Sequence, residues 1–296
     1  MIGTSEKNYP KFFIQKNSEY YTIRDIYNED GMLLLSKGQK ISMRSIKKLE
    51  KFIKREFLKD LDHTSKKQNA PLTSEEKRSE TLAPILNNFK KRFGIKDERV
   101  LEKPNKVLSS LIFESRTEPW WIYVRSLSNY VAWMYTHSVD VALISMMMAN
   151  ELGYNDEGLY NIGLGALLHD IGKLLIPKPV FEKPEELSKI EIDCVRQHCE
   201  LGKSSLEGFD LPNDILDIVM QHHERLDGSG YPSGLKEDEI SYNAKIVMIA
   251  DTIDAITSYR PYRKPQSIDT AIKILKEEGE KYSQILLTVL INLLKK

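Results

Sequence analysis

Leu167-Leu168-His169-Asp170-Ile171-Gly172-Lys173 is the stretch on which the reading of this chain turns. A histidine and an aspartate stand side by side where an amphipathic helical pattern, residues 157–169, runs out. Working outward, more such side chains occur at similar places: His137, His198, the pair His222-His223, and Asp251. Each falls within, at the end of or, for His137, just before a segment with helical periodicity. These segments are 139–152, 157–169, 188–207, 213–223 and 244–258, and 267–278 and 283–294 close the chain. Ser188 with Glu191 three residues on makes a capping box, and Gly153 and Gly208 are stop signals. Strand signals are essentially absent after residue 120. The fold class is therefore mainly α, and packed helices can aim such side chains at one point.

A mixed imidazole and carboxylate set suits divalent transition metals rather than calcium or magnesium alone. Seven candidate ligands exceed one tetrahedral site and match two ions that share a bridge. Asp170 has two oxygens and can bridge, while His169 binds one ion. Neighbours on an α-helix point about 100° apart, so His222 and His223 are expected to reach different ions. Asp251 ends the apolar run Ile246-Val247-Met248-Ile249-Ala250. Buried there alone it would be strongly destabilising, and a cation or partner would relieve it. Taken singly, His137 or His198 would more often be a structural histidine. The joint occurrence of the seven points to metal, although spacing alone names no reaction.

The segment around His169-Asp170 resembles the HD motif of the HD phosphohydrolase superfamily. His222-His223-Glu224-Arg225-Leu226-Asp227-Gly228-Ser229-Gly230-Tyr231-Pro232 resembles the second signature of the HD-GYP domain family. Ile249 to Ser258, followed by Arg260-Pro261-Tyr262-Arg263, is similar to that family's third block, and Arg196-Gln197-His198 to Gly202 to its intervening histidine helix. The resemblance covers about residues 125–290. It implies an all-α HD-type helical bundle and a bacterial phosphodiesterase that hydrolyses cyclic di-GMP to 5′-pGpG, and on to GMP, by a metal-bridged hydroxide. It implies metal ligands at His137, His169, Asp170, His198, His222, His223 and Asp251. Asp170 and Lys173 are the implied catalytic residues, and Lys173, Tyr231, Arg260 and Arg263 the implied substrate contacts. A planar guanidinium suits phosphate oxygens. The implied cofactor is two divalent transition-metal ions, iron or manganese first, with nickel and zinc also accepted by such ligands. Trp133 stands where some members place a glutamate for a third metal, which favours two. Tyr135-Thr136-His137-Ser138 departs from the usual Gly-His-Ser, and Asp140 stands where arginine is frequent.

The 296 residues carry 43 basic and 43 acidic side chains, a net charge of zero that argues against a generally basic nucleic-acid binder. Residues 1–120 hold 25 basic and 17 acidic residues, and residues 121–296 hold 18 and 26, so the halves are +8 and −8. The expected organisation is a small α+β unit at 1–60, a linker and connecting helix at 61–120, and a catalytic domain at 121–296. In the first unit Tyr21-Thr22-Ile23 is strand-like, Asn28-Glu29-Asp30-Gly31 is a turn before Met32-Leu33-Leu34-Leu35, and 42–57 is helix-like. This unit weakly resembles a β-rich domain that precedes some HD-GYP domains, and it is a candidate for regulation, homodimerisation or a protein partner. Residues 58–82, with His63, read as a linker, and 105–116 as a helix. Two cysteines, Cys194 and Cys199, do not make a disulfide framework. Cys194 falls one turn before His198 and Cys199 off that face. Met146-Met147-Met148 reads as core, Trp120-Trp121 and Trp133 as apolar packing, and Glu224 and Asp227 as groups orienting the histidines. No apolar run suits a signal peptide or a membrane span, so a cytoplasmic location and no membrane partner are expected.

Two rivals remain at this point. One is an HD-GYP module that binds a cyclic dinucleotide or a partner with weak or no turnover. The other is an HD phosphohydrolase for another nucleotide, cyclic GMP-AMP among them.

Overall fold

The structure, a computed structural model, describes residues 13–16, 19–22, 26–27, 33–35, 40–41, 75–183, 185–259 and 264–295. The chain divides into two units, Met1–Leu72 and Thr73–Lys296. In the first, β1 (Phe13–Lys16), β2 (Glu19–Thr22) and β5 (Lys40–Ile41) form an antiparallel sheet in the order β1-β2-β5. Strands β3 (Ile26–Tyr27) and β4 (Leu33–Leu35) pair separately, with Ile26 opposite Leu35. The strand read at 21–23 is therefore not the partner of Leu33–Leu35: Tyr21 and Thr22 belong to β2, and Ile26–Tyr27 pairs with Leu33–Leu35. The expected helix at 42–57 and His63 lie outside the described residues.

The second unit is helical: α1 (Glu75–Phe93), α2 (Arg99–Glu114), α3 (Trp121–Tyr130), α4 (Ala132–Glu151), α5 (Asp156–Leu168), the short α6 (Pro179–Glu182), α7 (Lys189–Arg196), α8 (His198–Leu206), α9 (Asn213–Gln221), α10 (Tyr242–Thr257), α11 (Ile268–Glu277) and α12 (Gln284–Lys295). A helix that is apolar on every face must be buried on every face. From Val139 to Ala149, α4 is such a helix, with Met146, Met147 and Met148 fully inside. It packs against α2, α3, α5, α10 and α12, and α9 packs on α5 and α10. No strand follows residue 41 among the described residues; an isolated bridge joins Asp227 and Lys236.

Helix limits differ from the expected ones in instructive ways. Polar residues mask the start of α1, but Leu82, Phe89 and Phe93 are buried. Helix α2 begins at Arg99 rather than 105. Pro104 removes one backbone donor, and burial of Leu101, Pro104, Leu108, Leu111 and Ile112 offsets this. The expected helix 188–207 is two helices, broken at Gln197. The 3-10 turn Ile171–Leu175 packs its backbone on α8, and a Cβ at Gly172 would lie 1.9 Å from the His198 carbonyl oxygen. The predicted capping box of Ser188 and Glu191 is formed.

Candidate metal centre

Helix ends deliver most of the site. His169 and Asp170 follow α5, His198 opens α8, and His222 and His223 follow α9. His137 and Asp251 project from inside α4 and α10. These seven residues converge. Asp170 is central: Oδ2 lies 2.6 Å from Lys173 Nζ, 3.4 Å from His169 Nε2 and 3.6 Å from His137 Nε2. Its Oδ1 lies 3.4 Å from His198 Nε2 and 3.9 Å from His222 Nε2. Asp251 Oδ1 is 3.1 Å from His137 Nε2, and its Oδ2 is 3.7 Å from His223 Nδ1. Donor atoms fall into two sets, each within 4.8 Å: Asp170, His198, His222 and His223; and His137, His169 and Asp251.

Four of the histidines are anchored through Nδ1. His169 donates to the Ala166 carbonyl at 2.6 Å, His198 to Val195 at 2.6 Å, and His222 to Val219 at 3.0 Å. His137 Nδ1 meets Asp254 Oδ2 at 2.5 Å, a carboxylate that accepts. With the proton on Nδ1, each Nε2 presents a lone pair to the centre. The Nε2 atoms of His198 and His222 are then 3.2 Å apart with no proton between them. His169 Nε2 and Asp170 Oδ1 are fully buried and have no hydrogen-bond partner. Lone pairs and carboxylate oxygens facing one another in a dry pocket are unfavourable unless cations lie among them. The donor set fits divalent transition ions.

The electrostatics keep most of the ligands in their binding forms; His169 is the exception, because burial acts downward but Asp170 outweighs it and raises its pKa. Burial, then the Lys173 charge, lowers His198 to about 4. Burial also drives His222 and His223 well below the ordinary range. At Asp170 burial acts upward, but His169 and Lys173 outweigh it and the carboxyl stays ionised. At Asp251 burial likewise acts upward, and the neighbouring His137 and His223 outweigh it.

The wall is built by the loop after α9. Tyr231 stacks on His223, with ring centroids 4.7 Å apart, and Arg196 lies over the tyrosine ring. A Cβ at Gly230 would lie 2.3 Å from the Arg225 nitrogen, so only glycine lets the loop close this tightly. Glu224, expected to orient a histidine, instead accepts from the backbone N–H groups of Ser233 and Leu235 and braces this loop. Asp227 accepts from Ser229.

Other expectations need correction. His222 and His223 fall in the same ligand set because they lie past the end of α9, where the 100° rule does not apply. The break at Gln197 resets the helical phase, so Cys199, not Cys194, lies beside the site, its Sγ 3.6 Å from His198 Nε2. Arg260 and Arg263 lie outside the described residues. Asp254 was missed, although it sits one turn after Asp251 on the buried face of α10. Arg92 was also missed. It reaches Asp140 and Asp254 at 2.8 and 2.6 Å from α1, and no local pattern announces it.

The HD domain family profile matches residues 123–284, more than half of the chain. The chain belongs to the HD domain family. Its signature blocks make it HD-GYP-like within that family. The cyclic di-GMP phosphodiesterase PA4108 of Pseudomonas aeruginosa is 35% identical over 179 residues, which are 60% of this chain and 40% of that protein. The 3'3'-cGAMP-specific phosphodiesterase 1 of Vibrio cholerae is 37% identical over 144 residues, 49% of this chain and 33% of that protein. The HD domain chain therefore spans less than half the length of these curated relatives. Among solved structures, the HDG"Y"P protein Bd1817 from Bdellovibrio bacteriovorus matches with a TM-score of 0.50 at 18% identity, covering 96% of this chain and 94% of that one. That likeness concerns the fold. No helix among the described residues is long and apolar enough to cross a membrane.

Proposed function

We propose that this HD domain protein is a phosphodiesterase that uses two divalent transition-metal ions to open cyclic di-GMP to 5′-pGpG, with GMP as a second product. The observation that carries the reading is the convergence of four Nδ1-anchored imidazoles, each turning Nε2 toward Asp170 or Asp251. His198, His222 and His223 would hold one ion, His137, His169 and Asp251 the other, and Asp170 would give one oxygen to each. Bound there, the ions would activate a water and neutralise charge on the phosphoryl oxygens. Iron or manganese is the favoured metal.

The remaining roles belong to the chain itself. Lys173 places an ammonium next to Asp170, only 12% exposed, where it can donate to a phosphoryl oxygen as negative charge spreads over it. Water adds to phosphorus, the bond to the 3′-oxygen breaks, and that oxygen leaves with a proton. Tyr231 forms the wall beside the reacting phosphate, and burial holds its hydroxyl protonated as a donor. Arg260 and Arg263 are proposed, from sequence, to hold the substrate's phosphates. An anionic substrate suits this acidic half because the ions and Lys173 reverse the sign locally.

The test is turnover by anaerobically purified protein loaded with manganese or ferrous iron, with cyclic di-GMP, 3′3′-cGAMP and dGTP compared side by side by chromatography. Linear 5′-pGpG from wild type, and none from Asp170→Ala, is expected. Binding of cyclic di-GMP without cleavage under either metal would replace this reading with a binding module. Preferred cleavage of 3′3′-cGAMP would reassign the substrate.

A further inference from the structure

Arg92 lies at the end of α1, upstream of the segment 123–284 that the family profile matches. One of its nitrogens, Nη2, donates to Asp140 Oδ2 at 2.8 Å and to Asp254 Oδ1 at 2.6 Å. Asp254's other oxygen accepts from His137 Nδ1 at 2.5 Å. His137 then presents Nε2 to Asp251 at 3.1 Å. An unbroken chain of contacts therefore runs from α1 through Asp254 to the metal centre. Both carboxylates are buried, and the Arg92 side chain is 16% exposed. Two buried carboxylates this close repel unless a cation lies between them. A guanidinium supplies several donors from one rigid plane, and a neutral side chain would remove this charged hold on the Asp254 carboxylate that faces His137.

We infer that Arg92 is a positioning residue: through Asp254 it fixes His137 as the Nδ1–H tautomer with Nε2 aimed into the metal centre. Its consequence for metal binding rests on the function proposed above, and the tautomer does not.

The experiment labels the histidines of the metal-free 296-residue protein with ¹⁵N and reads the His137 ring nitrogens by NMR. Wild type and Asp140→Asn should both show a protonated Nδ1, because each retains the link from Arg92 to Asp254. Arg92→Met should divide His137 between tautomers and weaken manganese binding, measured by calorimetry, tenfold or more. Arg92→Lys, which restores one charge, should recover most of both. A folded Arg92→Met protein with the wild-type tautomer overturns the inference. Should that variant not fold, Arg92→Gln takes its place under the same criterion. Wild-type protein that binds no manganese would defeat the functional reading, and the NMR result would still decide the role of Arg92.

Discussion

His198, His222 and His223 are held neutral mainly by burial, and this gives stability a pH dependence of definite sign. In an unfolded chain a histidine takes up a proton near pH 6.5. His198 does so only at about 4, and the other two lower than usual as well. Between these values the unfolded state binds more protons, so stability falls as pH drops. Each group costs up to about 1.4 kcal/mol per pH unit within that window. His169 moves the other way: burial opposes, Asp170 outweighs it, and its pKa rises. Its stabilisation is complete below about pH 6.5 and fades above it, so it does not offset the loss in acid. Asp140, pushed up to about 8 mainly by burial, gains stability as pH falls and opposes one of the three histidines over this range, so the urea midpoint of EDTA-treated protein should still fall from pH 7 to pH 5. A midpoint that stays flat over that range would contradict the buried, neutral histidines. His222→Gln should make the decline shallower.

At the scale of elements, the site depends on how closely the 3-10 turn Ile171–Leu175 approaches α8. A methyl at Gly172 would meet the His198 carbonyl at 1.9 Å and the Gly202 nitrogen at 2.6 Å. Both obstacles are backbone, so no rotamer change relieves them. Gly172→Ala should cost roughly 1–3 kcal/mol or more and displace His198, lowering both the melting temperature and the bound metal. A variant with native metal content would show that the turn gives way without disturbing α8. Ser188→Ala, which removes the α7 cap, should cost about 1 kcal/mol and leave metal content unchanged, because the cap lies at the opposite end of α7 from Val195 and Arg196, which touch the site. A loss of metal there would show that fraying at the cap is transmitted along α7. These two positions also mark what local sequence could tell. The capping box is a pattern within four residues, and it was legible. Nothing within 188–207 signals the break at Gln197, and the close approach of Gly172 to α8 is remote in sequence, so the segment read as one helix. That Asp170 has two oxygens to offer was legible, and in the structure they face different histidines. Arg92 did not, because Lys90-Lys91-Arg92 reads as a solvated basic run until its partners, 48 and 162 residues away, are brought beside it.

Across the whole molecule, zero net charge is a balance between a basic first part and an acidic second part, 18 basic against 26 acidic residues from 121 onward. An acidic surface attracts divalent ions loosely wherever carboxylates gather, so metal binding alone does not identify the centre. Linkage separates the two cases. Ions held by the folded site and not by the unfolded chain stabilise by about 2.7 kcal/mol each at a hundredfold excess over Kd. For a unit of this size that is roughly 5–10 °C in melting temperature per ion. Loose surface binding gives far less and is screened by salt. Manganese should therefore raise the melting temperature of wild type by that order at 0.15 M salt, and EDTA should reverse it. Asp170→Ala removes a carboxylate that faces histidines of both ligand sets, so it should abolish most of the rise while leaving the acidic surface unchanged. An equal rise in Asp170→Ala and wild type would place the stabilising ions on the surface, and the converging imidazoles would then need another explanation.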